Sequence, residues 1–220
     1  MQKIISFDHN QVHYHVFRFN GNTDSATVKN AGAYETIEHA VSQGANVIVN
    51  VSSGNNADAL RKEVLEYNRN KPIEDRVKVI HIIGESRELE RGLSEWSWSI
   101  PIVSDNLNTR WLTSSERVNM ARRYLETYEP NFKIKGMIDA THYLPKENVR
   151  QAMEITETKI DGNYLNAIVI PVGGGRTITA FDTALAQIKN QCTKLIGLVP
   201  EGEHPLFHNF IVRKENPDGI

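Results

Sequence analysis

The chain has 220 residues, enough for a substantial core in one large domain or two smaller lobes. Apolar residues make up 40% and charged residues 24%, with a formal net charge of -2, so the composition is that of a soluble globular protein and does not favour nucleic acid as a partner. No apolar run approaches the length of a bilayer span, and "MQKIISFDHNQ" lacks a signal-peptide core, so a cytoplasmic protein without membrane association is expected.

In chain order, short apolar runs alternate with segments of helical spacing. The runs are "VHYHVFRF", "ANVIVNV", "RVKVIHII", "NAIVIPV" and "KLIGLV"; the helical segments are "AYETIEHAVSQG", "ADALRKEVLEYN", "SSERVNMARRYLETY" and "TAFDTALAQIKN". This rhythm predicts an α/β fold with a mostly parallel sheet. "VIVNV" and "AIVIPV" are apolar at both parities, which predicts central strands covered on both faces. The stretch "GESRELERGLSEWSWSIPIVSDNLNTRW" is polar and irregular, and is read as a lobe or lid region. The lone Cys192 excludes a disulfide framework and reads as a buried, inert thiol.

Several segments carry residues suited to chemistry. His13 and His15 fall on one face of a strand, and His204 and His208 pair in "HPLFH", but neither pair has a third ligand nearby, so no metal is expected. In "TDSATVKNAGAYETIEHA", Thr27 or Ser25 is expected to cap a helix whose first turn carries Lys29. The helix dipole disfavours a cation there and lowers its pKa, which suits a Schiff-base amine; a solvated surface lysine is the alternative. "VIVNVSSGNNADALRKEV" sets Ser52, Ser53, Gly54, Asn55 and Asn56 between a strand and a helix. These hydroxyls, amides and N–H groups suit a carboxylate or an aromatic hydroxyl, or form an ordinary N-cap. Trp96 and Trp98 point to packing or an interface. "VIPVGGGRTITAF" places Gly173, Gly174 and Gly175 between strand and helix, where backbone N–H groups converge on an anion such as phosphate; a tight packing turn is the alternative. The segment is neither a Walker loop nor a dinucleotide fingerprint.

Taken in this order, the three segments resemble the fold type II pyridoxal phosphate enzymes: cysteine synthase, threonine synthase, threonine dehydratase and the tryptophan synthase beta subunit. The family pattern "NPTGSFKDRGA" resembles "TDSATVKNAGA", with Lys29 at the Schiff-base lysine and Gly32-Ala33 at its Gly-Ala. "SSGNHGxALA" resembles "SSGNNADALR", with Asn55 at the residue that holds the cofactor's ring hydroxyl and Ser53 beside the substrate carboxylate. "VPVGGGGL" or "VGTGGTITG" resembles "IPVGGGRTITA", so Gly173, Gly174, Gly175, Arg176 and Thr177 fall on the phosphate loop. "IDATHYLPKENVRQAMEI" is similar to the threonine synthase type of approach to that loop, and the likeness is weakest between about Gly84 and Lys133.

The resemblance implies a three-layer, two-lobed, tryptophan synthase beta-like fold. Residues 1–34 and 131–220 would form the larger, cofactor-phosphate lobe and residues 35–130 the smaller, substrate-side lobe. It implies pyridoxal 5'-phosphate as cofactor and a lyase or synthase that eliminates or replaces a group at the β or γ carbon of a small amino acid, in threonine-synthase-like manner. Lys29 and Ser53 would be catalytic, Ser52, Gly54 and Asn56 would help hold the substrate, and the assembly would be a homodimer. Asp24 departs from the family's proline, Asn30-Ala31 from its Asp-Arg, and Arg176 and Ala180 from its glycines; Arg176 would add a phosphate contact. The chain stops at "RKENPDGI", where the family continues, which implies either a truncated homologue that binds cofactor or partner without turnover or a second chain that completes the fold. An unrelated phosphate-binding α/β domain is the remaining alternative.

Overall fold

The structure is a computed structural model that describes residues 2–18, 32–52, 55–84, 96–102, 112–172, 175–189 and 192–198. Strands β1 (Gln2–His9) and β2 (Val12–Arg18) form an antiparallel hairpin. Its two-residue turn places Asn10 and Gln11 at φ 48 and 64, the left-handed values that match hairpin twist. One face is polar, with His13 bonded to Asp8 at 2.5 Å and His15 to Ser6 at 2.8 Å; on the other, Phe7 stacks on Tyr14.

The chain then alternates helix and strand: α1 (Ala33–Ser42), β3 (Val47–Val51), α2 (Asn55–Asn68), β4 (Lys78–Gly84), β5 (Ser97–Ile102), α3 (Ser114–Tyr128) and β6 (Met137–Asp139). The four strands form a parallel sheet in the order β5-β4-β3-β6. Strand parity divides its side chains between two cores. Ile48 and Val79 meet Ile37 of α1 and Leu60 and Val64 of α2, whereas Val47, Val49, Ile80 and Ile82 meet Ala121 and Leu125 of α3. The expected three-layer arrangement is thus present, and β3 is the buried central strand that its apolar run predicts.

A second unit follows: α4 (Lys146–Thr156), the short strands β7 (Lys159–Ile160) and β8 (Asn163–Tyr164), β9 (Ala167–Pro171), α5 (Arg176–Gln187) and β10 (Lys194–Leu198). Strands β9 and β10 pair in parallel, and α4 and α5 pack against Ile168 and Ile170. β9 corrects the expectation of two covered faces. Burial alternates along it and leaves Val169 52% exposed, because both helices lie on the Ile168 side. Cys192 is also corrected: it is exposed on the bend before β10, while the neighbouring Thr193 is buried and donates to the Leu165 carbonyl at 2.6 Å.

Trp96 and Trp98 both serve packing, around a buried cation. Lys78 at the start of β4 is fully buried, with its ammonium bonded to the Glu129 carboxylate and lying 5.5, 5.3 and 4.9 Å from the ring centres of Trp96, Trp98 and Phe132. β5, with its Ser-Trp-Ser-Ile alternation, lies inside the stretch read as irregular.

Candidate functional site

Two loops leave the carboxyl ends of parallel strands, the position where open α/β sheets place ligands. The first follows β3. Ser52 is half-buried, α2 opens at Asn55, and Asn56 is buried with its Oδ1 accepting from Asn50 Nδ2 at 3.1 Å. Asn50 also lies 3.4 Å from His81 Nδ1, and its own Oδ1 is buried without a hydrogen-bond partner. These residues share the α2 side of the sheet with Ser97 and Ser99, so the core turns polar directly beneath the Ser-Asn loop. A small cavity there, lined by Ser52, Asp58, Arg61, His81, Ser97 and Ser99 together with the apolar Ala57 and Ile83, has room for about one water molecule.

The second loop follows β9. Gly175 stands at φ 84, a left-handed conformation that a Cβ disfavours, and is the N-cap of α5. That terminus has no side-chain cap and no acidic residue in its first turn. Its first N–H groups therefore point out of the helix with the positive end of the dipole behind them, a donor set that fits a phosphate.

A turn at residues 139–141 joins the two loops. Arg176 Nη2 donates to the carbonyl oxygens of Ala140 at 3.0 Å and Thr141 at 2.7 Å. Thr141 Oγ1 accepts from the Val51 N–H at 3.2 Å and donates to Asp139 Oδ1 at 2.5 Å, and the Thr141 N–H donates to the same oxygen at 3.0 Å. The other oxygen, Oδ2, takes Arg117 Nε at 2.9 Å and Nη2 at 2.6 Å, while Arg117 Nη1 bonds the Leu112 carbonyl. Burial works against the Asp139 charge, but the hydrogen bonds from Thr141 and Arg117 outweigh it and hold the carboxyl below its usual pKa. Burial pulls the Arg176 guanidinium below the usual arginine value, and the Asp139 carboxylate pushes back.

Of the expected site residues, Ser52 and Gly175 lie on these two loops, Asn55 and Asn56 open α2, and Arg176 and Thr177 open α5. Lys29, Ser53, Gly54, Gly173, Gly174, His204 and His208 lie outside the described residues. Helix α1 starts at Ala33 with Gly32 as its N-cap, so Thr27 and Ser25 do not cap it and its first turn begins beyond Lys29. Asn50, His81, Arg117, Asp139 and Thr141 were not singled out; the asparagine within the buried run "VIVNV" was the available signal for the first of them. Among the described residues no three metal-ligating side chains converge. An open groove of about 330 Å³ lies near the amino ends of the strands, but its Lys71 rests on the Tyr67 ring and its Lys135 pairs with Asp75.

No family model matches the chain, and no curated protein matches it in sequence. Solved structures do match. A pyridoxal 5'-phosphate-dependent aspartate racemase is 16% identical with a TM-score of 0.54, and covers 86% of this chain and 51% of its own. Cysteine synthase from Entamoeba histolytica is 18% identical at 0.53, over 82% of this chain and 50% of its own. Serine racemase from Dictyostelium discoideum is 17% identical at 0.50, over 84% of this chain and 54% of its own. The chain spans about half the length of each. At these identities the likeness is one of fold.

Proposed function

We propose that this chain, which has the fold of the fold type II pyridoxal phosphate enzymes, binds pyridoxal 5'-phosphate and acts on a small amino acid. The observation that carries the reading is the junction at residues 139–141, which ties an uncapped, glycine-started helix to the Ser-Asn loop, both at strand carboxyl ends. An anion on α5 and a carboxylate on the Ser-Asn loop would then be neighbours.

In this reading the backbone N–H groups of Gly173 to Thr177, leading into α5, hold the phosphate. Asn55 holds the ring hydroxyl, and Ser52, Ser53 and Gly54 grip the substrate carboxylate so that the bond to be broken is held in one orientation. Asn56, bonded to Asn50, supports that loop from beneath. The Lys29 amine would hold the cofactor and would serve as the base that moves the substrate's α-proton. The cofactor supplies the electron sink for carbanion chemistry. The reaction is elimination or replacement at the β or γ carbon, with hydroxy or phosphorylated hydroxy amino acids as threonine-synthase-like substrates. Residues 35–130, with β6 joined to their sheet, form the substrate-side lobe, and a homodimer is the expected assembly.

The test is the visible absorbance of the purified protein with added pyridoxal phosphate, followed by titration with small amino acids. A new visible band that changes with hydroxy amino acids supports the reading. A band indifferent to every amino acid supports a cofactor-binding homologue without turnover, and no band contradicts both.

A further inference from the structure

We propose that Arg176 acts through its side chain as a positioning residue rather than a phosphate ligand: it clamps the turn at residues 139–141, and through that turn ties the end of β3 to the start of α5. The contacts run in one direction. Arg176 sits one residue after the left-handed Gly175 at the start of α5, yet its Nη2 points back to two carbonyl oxygens, 3.0 and 2.7 Å away, on a different segment. Both acceptors belong to the turn whose Thr141 hydroxyl accepts the N–H of Val51, the last residue of β3. Four segments therefore meet at one place: the end of β3, the turn after β6, the start of α5 and, through Arg117, helix α3.

Chemistry assigns the direction of control. A guanidinium bonded to two carbonyl oxygens and largely removed from water is costly to release, because the carbonyls and the cation would each lose a charge-assisted partner. Turning Nη2 toward a phosphate would require that release. The positive end of α5 and the loop N–H groups already provide a phosphate site without it. Asp139 is bonded at both carboxylate oxygens, so it holds the turn rigid beneath the clamp.

The proposal rests on the functional reading above for what the loops hold, but its first test needs no ligand. Hydrogen exchange of the peptide covering residues 47–56 is compared in wild type, Arg176→Met and Arg176→Lys. Methionine keeps the stem and removes the donors, and about tenfold faster exchange at residues 51–56 is expected, with β4 and α3 unchanged. Lysine, with one compact donor group, restores part of the protection. Thr141→Val reproduces the effect at Val51, and Thr141→Ser reverses it. Unchanged exchange at residues 51–56, or acceleration spread evenly over the protein, overturns the proposal; if Arg176→Met does not fold, Arg176→Lys and Thr141→Val decide in the same way.

The second test compares pyridoxal phosphate with pyridoxal, which lacks the phosphate. Arg176→Met should weaken both by similar factors, so that their affinity ratio stays within about threefold of wild type. Loss of the phosphate preference alone, by about tenfold or more, makes Arg176 a phosphate ligand and overturns the proposal. If wild type binds neither compound, the functional reading fails while the exchange measurement still decides the clamp.

Discussion

Arg117 of α3 and Asp139 at the end of β6 form an ion pair at 2.6 Å, with side chains only 3% and 4% exposed. A buried pair of this kind is costly to break from one side, since the remaining charge stays out of water. Its position matters more than its net strength: the carboxylate also fixes Thr141, and with it the turn on which both candidate loops converge.

Asp139→Asn should therefore destabilise the protein by about 3 kcal/mol at neutral pH, because Arg117 loses its counter-charge. The pH dependence has a definite sign. The folded-state pKa of Asp139 is lowered, so its contribution is present above the unfolded value of about 3.9 and is lost as pH falls through the lower folded value. Urea unfolding should show the gap between wild type and Asp139→Asn shrinking toward about pH 3. A constant gap would assign the stability to packing instead.

The Lys78–Glu129 pair should be asymmetric. The Lys78 side chain is 2% exposed and that of Glu129 22%, so only the carboxylate has access to water. Glu129→Gln leaves a buried ammonium among aromatic rings and should cost about 3 kcal/mol; Lys78→Met removes that charge and should cost about half as much. Denaturant midpoints of the two variants give the order directly.

Glu35 of α1 performs the cap that α4 lacks. Pro145 at the α4 N-cap position makes no side-chain bond, and the Glu35 carboxylate accepts from the N–H groups of Lys146 at 2.9 Å and Glu147 at 3.1 Å. Glu35→Ala should cost about 1 kcal/mol. Burial first, and the Glu35 charge second, raise the Tyr143 pKa, so the same variant should move the Tyr143 phenol titration downward. Absorbance titration of the tyrosines measures that shift.

Gly32 is required by close approach. Its φ of -93 suits any residue, but a Cβ there would stand 2.5 Å from Pro145 Cγ and 2.9 Å from Asn148 Oδ1. Gly32→Ala should push α1 and α4 apart and cost about 2 kcal/mol in urea unfolding.

The central sheet was legible because an apolar run such as "VIVNV" has few other places to go: it must be covered on both faces, and β3 is. The same logic failed for β9, whose run reads alike but whose covering depends on which side α4 and α5 take. β5 was hidden by Ser97 and Ser99, small polar residues that the polar layer under α2 accommodates. The glycine loop and the Ser-Asn loop stood out through local residue chemistry. The turn that joins them was matched only within "IDATHYLPKENVRQAMEI", and its joining role was not legible, because Arg176 bonds backbone carbonyls, and every residue has one. Asn50 and His81 belong to the same class, buried polar groups that meet across β3 and β4 and are distant in sequence.

The proposed function requires that Lys29 capture pyridoxal phosphate covalently. The most direct measurement is borohydride reduction of the protein incubated with pyridoxal phosphate, followed by peptide mass mapping, in wild type and Lys29→Ala. One dominant pyridoxyl adduct on Lys29, absent from the variant, is expected. An adduct spread over surface lysines, or equal labelling of wild type and Lys29→Ala, would contradict it.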